Sequence, residues 1–141
     1  SAVLFREELG SWPPGARGTT FGGQAVAAAA AHATLDLLEG GLQENAARLG
    51  EFLLAELRAL KRRFPFLGDV RGRGLMIGLD FGDPDHPQPD LRDKAVRLAF
   101  EKGLLLLPAG PSALRIAPPL VLTQEEAALG LEILEEVFRA L

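Results

Sequence analysis

Gly68-Asp69-Val70-Arg71-Gly72-Arg73-Gly74-Leu75-Met76-Ile77-Gly78-Leu79-Asp80-Phe81 is the stretch on which the fold turns. Residues 75–81 read as a strand, closed by the loop at 82–89. Residues 69–74 read as a turn-rich approach to it. Gly72 and Gly74 permit a tight or positive-φ backbone where the chain enters a sheet. Arg71 and Arg73 could pair with a carboxylate, but they suit a bulged strand entry with structural arginines better, and neither is assigned a site.

Upstream, residues 1–24 read as a short helical piece and a loop dense in Pro and Gly. Residues 25–38 are nearly all Ala, Leu and His and predict a helix, stopped by Gly40-Gly41. Alanine on every face lets other backbone approach closely, so this helix is expected to be buried. Residues 42–64 predict a second helix, with Leu42, Ala46, Leu49, Leu53, Leu57, Leu60 and Phe64 on one apolar stripe. Pro65 ends it. Downstream, Asp90 is expected to cap a helix running to Lys102, with Leu91, Ala95, Leu98 and Ala99 inward. Residues 104–107 read as a buried strand and 114–117 as another. Thr123-Gln124-Glu125-Glu126 is a capping box that opens a last helix. The predicted fold class is α/β with an α+β small domain. It has a three- to four-stranded sheet with helices packed against it, preceded by two long helices.

Composition narrows the function. The 141 residues carry a net charge of −4, which argues against nucleic acid as a partner, since phosphate backbones demand a basic surface. No apolar run approaches the roughly 18 residues of a membrane span. There is no cysteine, so thiolate chemistry and disulfides are excluded. His32 and His86 lie far apart in the chain, and no metal site is expected from them. Ser1-Ala2-Val3-Leu4-Phe5 begins in apolar sequence without an initiating Met, as expected of a processed chain or of a piece of a longer one.

Two features carry candidate chemistry. Gly18-Thr19-Thr20-Phe21-Gly22-Gly23 leads straight into the alanine helix. Glycines, hydroxyls and a helix N-terminus together make a natural anion site, although a turn with a helix cap explains the same residues. It is not a P-loop, because no Gly-Lys-Ser/Thr follows. In Leu114-Arg115-Ile116-Ala117-Pro118-Pro119-Leu120, strand alternation sends Arg115 to the face opposite Leu114 and Ile116. A strand-mounted guanidinium is a rigid fork for a carboxylate, while a structural salt bridge or a solvated edge residue is the plainer account of it.

The order of these motifs, from Trp12-Pro13-Pro14-Gly15-Ala16-Arg17-Gly18-Thr19-Thr20-Phe21-Gly22-Gly23 through Val70-Arg71-Gly72-Arg73-Gly74-Leu75-Met76 to Arg115-Ile116-Ala117-Pro118-Pro119-Leu120, resembles the class III pyridoxal-phosphate aminotransferases. That group includes the ornithine, acetylornithine and 4-aminobutyrate enzymes. The sequence departs from the family at Arg17, where His is common, and at Gln24-Ala25, where Asn-Pro is common. The resemblance implies the C-terminal part of a fold type I enzyme that uses pyridoxal 5'-phosphate. Residues 1–23 would close the large domain, 24–64 bridge the domains, and 65–141 form the small domain.

The resemblance further implies a cytoplasmic homodimer in which Thr20, with Thr19 beside it, binds the cofactor phosphate of the neighbouring subunit. Arg115 would bind a substrate carboxylate. Such chemistry needs a Schiff-base lysine. Lys61, Lys94 and Lys102 all read as solvated, so no catalytic residue is assigned, and the family places that lysine ahead of the threonine loop. The implied reaction moves an amino group from an amino acid or ω-amino acid to a 2-oxo acid. Racemase, decarboxylase or aminomutase chemistry on the same scaffold, or a non-catalytic dimerisation module, are the alternatives.

Overall fold

The strand expected at 75–81 is the second of an antiparallel sheet in the computed structural model, which describes residues 3–13, 15–16 and 18–141. Arg17, one of the departures from the family pattern, lies outside the described residues, as does Pro14. By its internal contacts the chain forms two units, Ser1–Gly41 and Leu42–Leu141.

The first unit has a 3-10 turn at Glu7–Leu9, a loop, and helix α1 (Ala25–Leu37). None of the residues of α1 is buried, although alanine content made burial the expectation. The first unit holds no second long element among the described residues to lie against α1, so its alanine faces stay open there. Residues Leu38–Leu42 form a wide π-type turn, in which Gly41 takes a φ of 120° and breaks the helical path.

In the second unit, α2 (Gln43–Arg63) buries Leu49, Leu53, Leu57 and Leu60, the stripe read from the sequence. Strands β1 (Leu67–Arg73), β2 (Met76–Phe81), β3 (Leu107–Ala109) and β4 (Ala113–Ile116) form one sheet in the order β1-β2-β4-β3. Every neighbouring pair is antiparallel. Helix α3 (Pro89–Glu101) precedes β3, and α4 (Gln124–Arg139) follows β4. One sheet face, with Leu67, Val70, Ile77, Leu79, Phe81 and Leu114, is buried in the same core as residues of α2, α3 and α4. The fold is therefore an α/β layer with four strands among the described residues.

The sheet begins earlier than the sequence suggested. Residues 67–73 are a full strand rather than a turn-rich approach, and the irregularity lies between Leu67 and Val70. The turn is the two-residue loop Gly74-Leu75, where Gly74 has a φ of +54°. A glycine at the first position of such a loop suits the right-handed twist of a hairpin. Helix α2 presses on this turn, since a Cβ on Gly50 would lie 2.3 Å from the Gly74 carbonyl oxygen.

Three further expectations shift. Asp90 lies in the first turn of α3 rather than at its cap, because Pro89 occupies the helix start and Gln88 is the cap residue. Proline suits that position, where its missing N–H has no helical acceptor. Residues 104–107 are not a continuously buried strand. Leu104 and Leu106 turn partly inward, Leu105 and Leu107 are exposed, and pairing starts only at Leu107. An edge strand covered on one face alternates rather than burying every residue. The capping box at α4 forms as read, with the Thr123 hydroxyl accepting from the Glu126 N–H and the Glu126 carboxylate accepting from the Thr123 N–H.

Candidate functional site

The candidate phosphate loop lies in the first unit. The Gly22 N–H donates to the Thr19 carbonyl at 3.4 Å and the Gln24 N–H donates to that of Phe21 at 3.3 Å, winding the chain into α1. Gly23 holds a φ of +76°, and a Cβ on Gly22 would sit 2.6 Å from the Thr19 methyl. Gly23 is thus favoured by the turn itself, while a side chain at residue 22 would require the Thr19 methyl to move. Thr19 and Thr20 are exposed, and neither hydroxyl has a hydrogen-bond partner among the described residues. Gln24 makes no side-chain cap, and no acidic residue occupies the first turn of α1. The first N–H groups of a helix have no intrahelical acceptor and carry the positive end of its dipole. Two exposed hydroxyls in the loop leading into such an end, with no carboxylate in the helix's first turn, are compatible with an anion.

The candidate carboxylate fork lies in the second unit. Arg115 pairs in register with Gly78 of β2 on one side and Leu107 of β3 on the other. Leu114 is fully buried, Ile116 is half-buried and Arg115 is exposed, so the alternation read from the sequence holds. Arg115 makes no hydrogen bond or ion pair among the described residues. Arg71 contrasts with it. In register with Gly78 from the β1 side, it grips Asp80 with both terminal nitrogens and reaches Asp69 at 3.2 Å. The Asp80 carboxylate first, and Asp69 second, push the Arg71 guanidinium above its ordinary pKa. Arg71 is structural as the sequence suggested, whereas Arg73, expected to be so too, is exposed and its side chain makes no hydrogen bond or ion pair among the described residues. Arg115 is left as an unengaged fork in the same cross-strand row as Arg71.

Sequence reading missed the buried cation behind this strand. Arg92 on α3 is 7% exposed, and its guanidinium donates to the Ala113 carbonyl at 3.0 Å and to Ala109 at 3.4 Å. Its Nε reaches Asp93 at 2.6 Å. It therefore pins both sides of the β3–β4 turn from inside. The signal was its spacing, because Arg92, Ala95 and Ala99 share one helical stripe. Lys94 was also misread as solvated. It is half-buried and reaches the carbonyls of Ala140 and Leu141 at 3.3 Å, because α3 packs beside the end of α4. Lys102 pairs with Glu136 at 2.7 Å, and Lys61 is exposed. Among the described residues no cluster of three or more His, Asp or Glu could hold a metal, and no helix is long and apolar enough to cross a membrane.

The family model for class-III aminotransferases matches residues 1–138. The chain belongs to the class-III aminotransferase family. Its relatives include an alanine/serine racemase from Pyrococcus horikoshii, 41% identical over 99% of this chain and 30% of that protein. An acetylornithine aminotransferase from Bacillus subtilis is 40% identical over 90% of this chain and 31% of its own length. Among solved structures, an acetylornithine aminotransferase from Elizabethkingia anophelis superposes with a TM-score of 0.82 at 32% identity, covering 94% of this chain and 34% of the other. The chain thus spans about a third of the length of these class-III relatives. The class-III aminotransferases depend on pyridoxal 5'-phosphate, and the exposed hydroxyls of Thr19 and Thr20, in the loop that leads into α1, are of a kind that can donate to a phosphate.

Proposed function

We propose that this chain is the C-terminal portion of a pyridoxal-phosphate aminotransferase that moves an amino group from an amino acid or ω-amino acid, of the 4-aminobutyrate or ornithine type, to a 2-oxo acid. The observation that carries the reading is the unengaged guanidinium of Arg115 on an open sheet face, across β2 from an arginine that two carboxylates neutralise. In the parent enzyme residues 1–23 close the large domain, 24–64 bridge the domains and 65–141 form the small domain. The enzyme is a cytoplasmic homodimer.

The hydroxyls of Thr20 and Thr19, with the first N–H groups of α1, hold the cofactor phosphate of the neighbouring subunit. Arg115 takes the substrate carboxylate with two parallel hydrogen bonds, which fixes the orientation of the substrate. A lysine there would offer a point charge and lose that orientation. When bound, the cofactor supplies an electron sink for the substrate carbon that loses its proton. The chain's own residues bind and orient.

The 141-residue chain by itself is catalytically incomplete on this reading, because Lys94 and Lys102 are held by partners and Lys61 lies on an exposed helix edge. Mixing the chain with pyridoxal 5'-phosphate should give only the absorbance of the free aldehyde. A lysine-bound band that disappears on changing Lys61, Lys94 or Lys102 would contradict this.

A second reading, racemisation on the same scaffold, is favoured by the 41% identity to the alanine/serine racemase. Product analysis of the full-length enzyme with and without added 2-oxo acid separates the two. Amino transfer that stops without the oxo acid is the expected result, and turnover that proceeds without it would establish the second reading instead.

A further inference from the structure

Gly78 sits in the middle of β2, where glycine weakens a strand and a β-branched residue would suit it better. Three structural reasons account for most glycines in strands, and none applies here. The backbone is not in the left-handed region, because Gly78 is not among the positive-φ glycines. There is no bulge, since pairing runs in register through Gly78 to both Arg71 and Arg115. No other backbone presses on it within the described residues. A Cβ built there would meet nothing closer than the Arg71 side chain, at 3.8 Å, which is ordinary contact. The neighbouring glycines behave differently. A Cβ would lie 2.5 Å from the Met76 carbonyl oxygen at Gly72 and 1.6 Å from that of Gly82 at Gly68.

What Gly78 does have is Arg115 directly opposite on the same exposed face. Cross-strand partners bring their Cβ atoms to about 5 Å, so any side chain at residue 78 would stand beside the fork. We infer that Gly78 is kept bare so that the carbon chain of a 2-oxo acid held by Arg115 can lie flat across β2. This makes Gly78 a specificity-determining position, and it rests on the carboxylate role given to Arg115. Arg71, engaged by Asp69 and Asp80, borders the bare strip without competing for the ligand's carboxylate.

The test uses the cofactor-loaded full-length enzyme and measures 2-oxoglutarate binding by calorimetry, with the thermal midpoint of each variant taken alongside. The variants are Gly78→Ala, Gly78→Val and Arg115→Ala. Gly78→Val should weaken binding about tenfold, as an overpacked site does, with Gly78→Ala in between and the midpoints unchanged or raised. If Arg115→Ala weakens binding and neither Gly78 variant does, the inference about Gly78 fails and the role of Arg115 stands. If Arg115→Ala has no effect, both fall together. If the Gly78 variants lower the midpoint by several degrees, the glycine is structural and the inference is overturned.

Discussion

Arg115→Ala in the full-length enzyme should raise the KM for the carboxylate substrate about 100-fold, close to the loss of two charge-assisted hydrogen bonds. The cofactor absorbance should not change, and neither should the melting temperature. The side chain is exposed and makes no contact that the sheet needs, while Leu114 and Ile116, which face the core, stay in place. Arg115→Lys should recover only part of the loss, because an ammonium keeps the charge without the fork. Steady-state kinetics against varied oxo acid gives the KM, and an absorbance spectrum of the same sample gives cofactor occupancy. If KM and spectrum both stay as in the unaltered enzyme, Arg115 does not bind the substrate.

The second large effect is on stability. Phe81 is fully buried in a cluster with Phe64, Phe66 and Phe138. Its ring lies 5.7 Å from Phe66 and 6.0 Å from Phe138, and Phe138 in turn stands edge-on to Phe64 at 5.6 Å. This knot joins the end of α2, β1 and β2 to the last turns of α4. Phe81→Ala removes the ring and leaves a cavity at its centre, at a cost of about 3–5 kcal/mol. Domains of this size have about 5–15 kcal/mol in total, so the change removes a large share. The melting midpoint of the 141-residue chain, followed by circular dichroism, should fall by about 15–30 °C. A fall of less than about 5 °C would mean that the aromatic knot does not hold the second unit together.

Much of this was legible in the sequence because periodicity survives folding. The stripe on α2, the capping box of α4 and the alternation around Arg115 are local patterns, and each reappears at its place. β1 was missed because its residues are poor strand formers by themselves. Asp69, Gly72 and Arg73 read as turn, and only pairing with β2 makes them a strand. The bulk of the leucines at 104–107 gave no sign of which were covered, since that depends on the sheet edge where they lie. Arg92 and Lys94 went unrecognised for a related reason. Their partners are backbone carbonyls 17 to 47 residues away, and a carbonyl has no signature in a sequence. The hydroxyls of Thr19 and Thr20 and the guanidinium of Arg115 could be named from the sequence as candidates, and all three side chains are exposed. That Arg115 is unengaged while Arg71 is doubly held was not readable, because it depends on strand register.

Proline at position 108 has an effect on how the molecule behaves in a crowded solution. A sheet with one open face also offers its outer strands as templates on which other chains could add, the route to aggregation. Here the β3 side is a three-residue strand whose middle residue is Pro108, which has no N–H to donate. On the opposite side β1 is distorted between Leu67 and Val70 and carries Arg71 and Arg73. Both borders of the sheet are thus closed to further strands. The open face that carries Arg115 can stay exposed without turning the molecule into a seed for its own polymer.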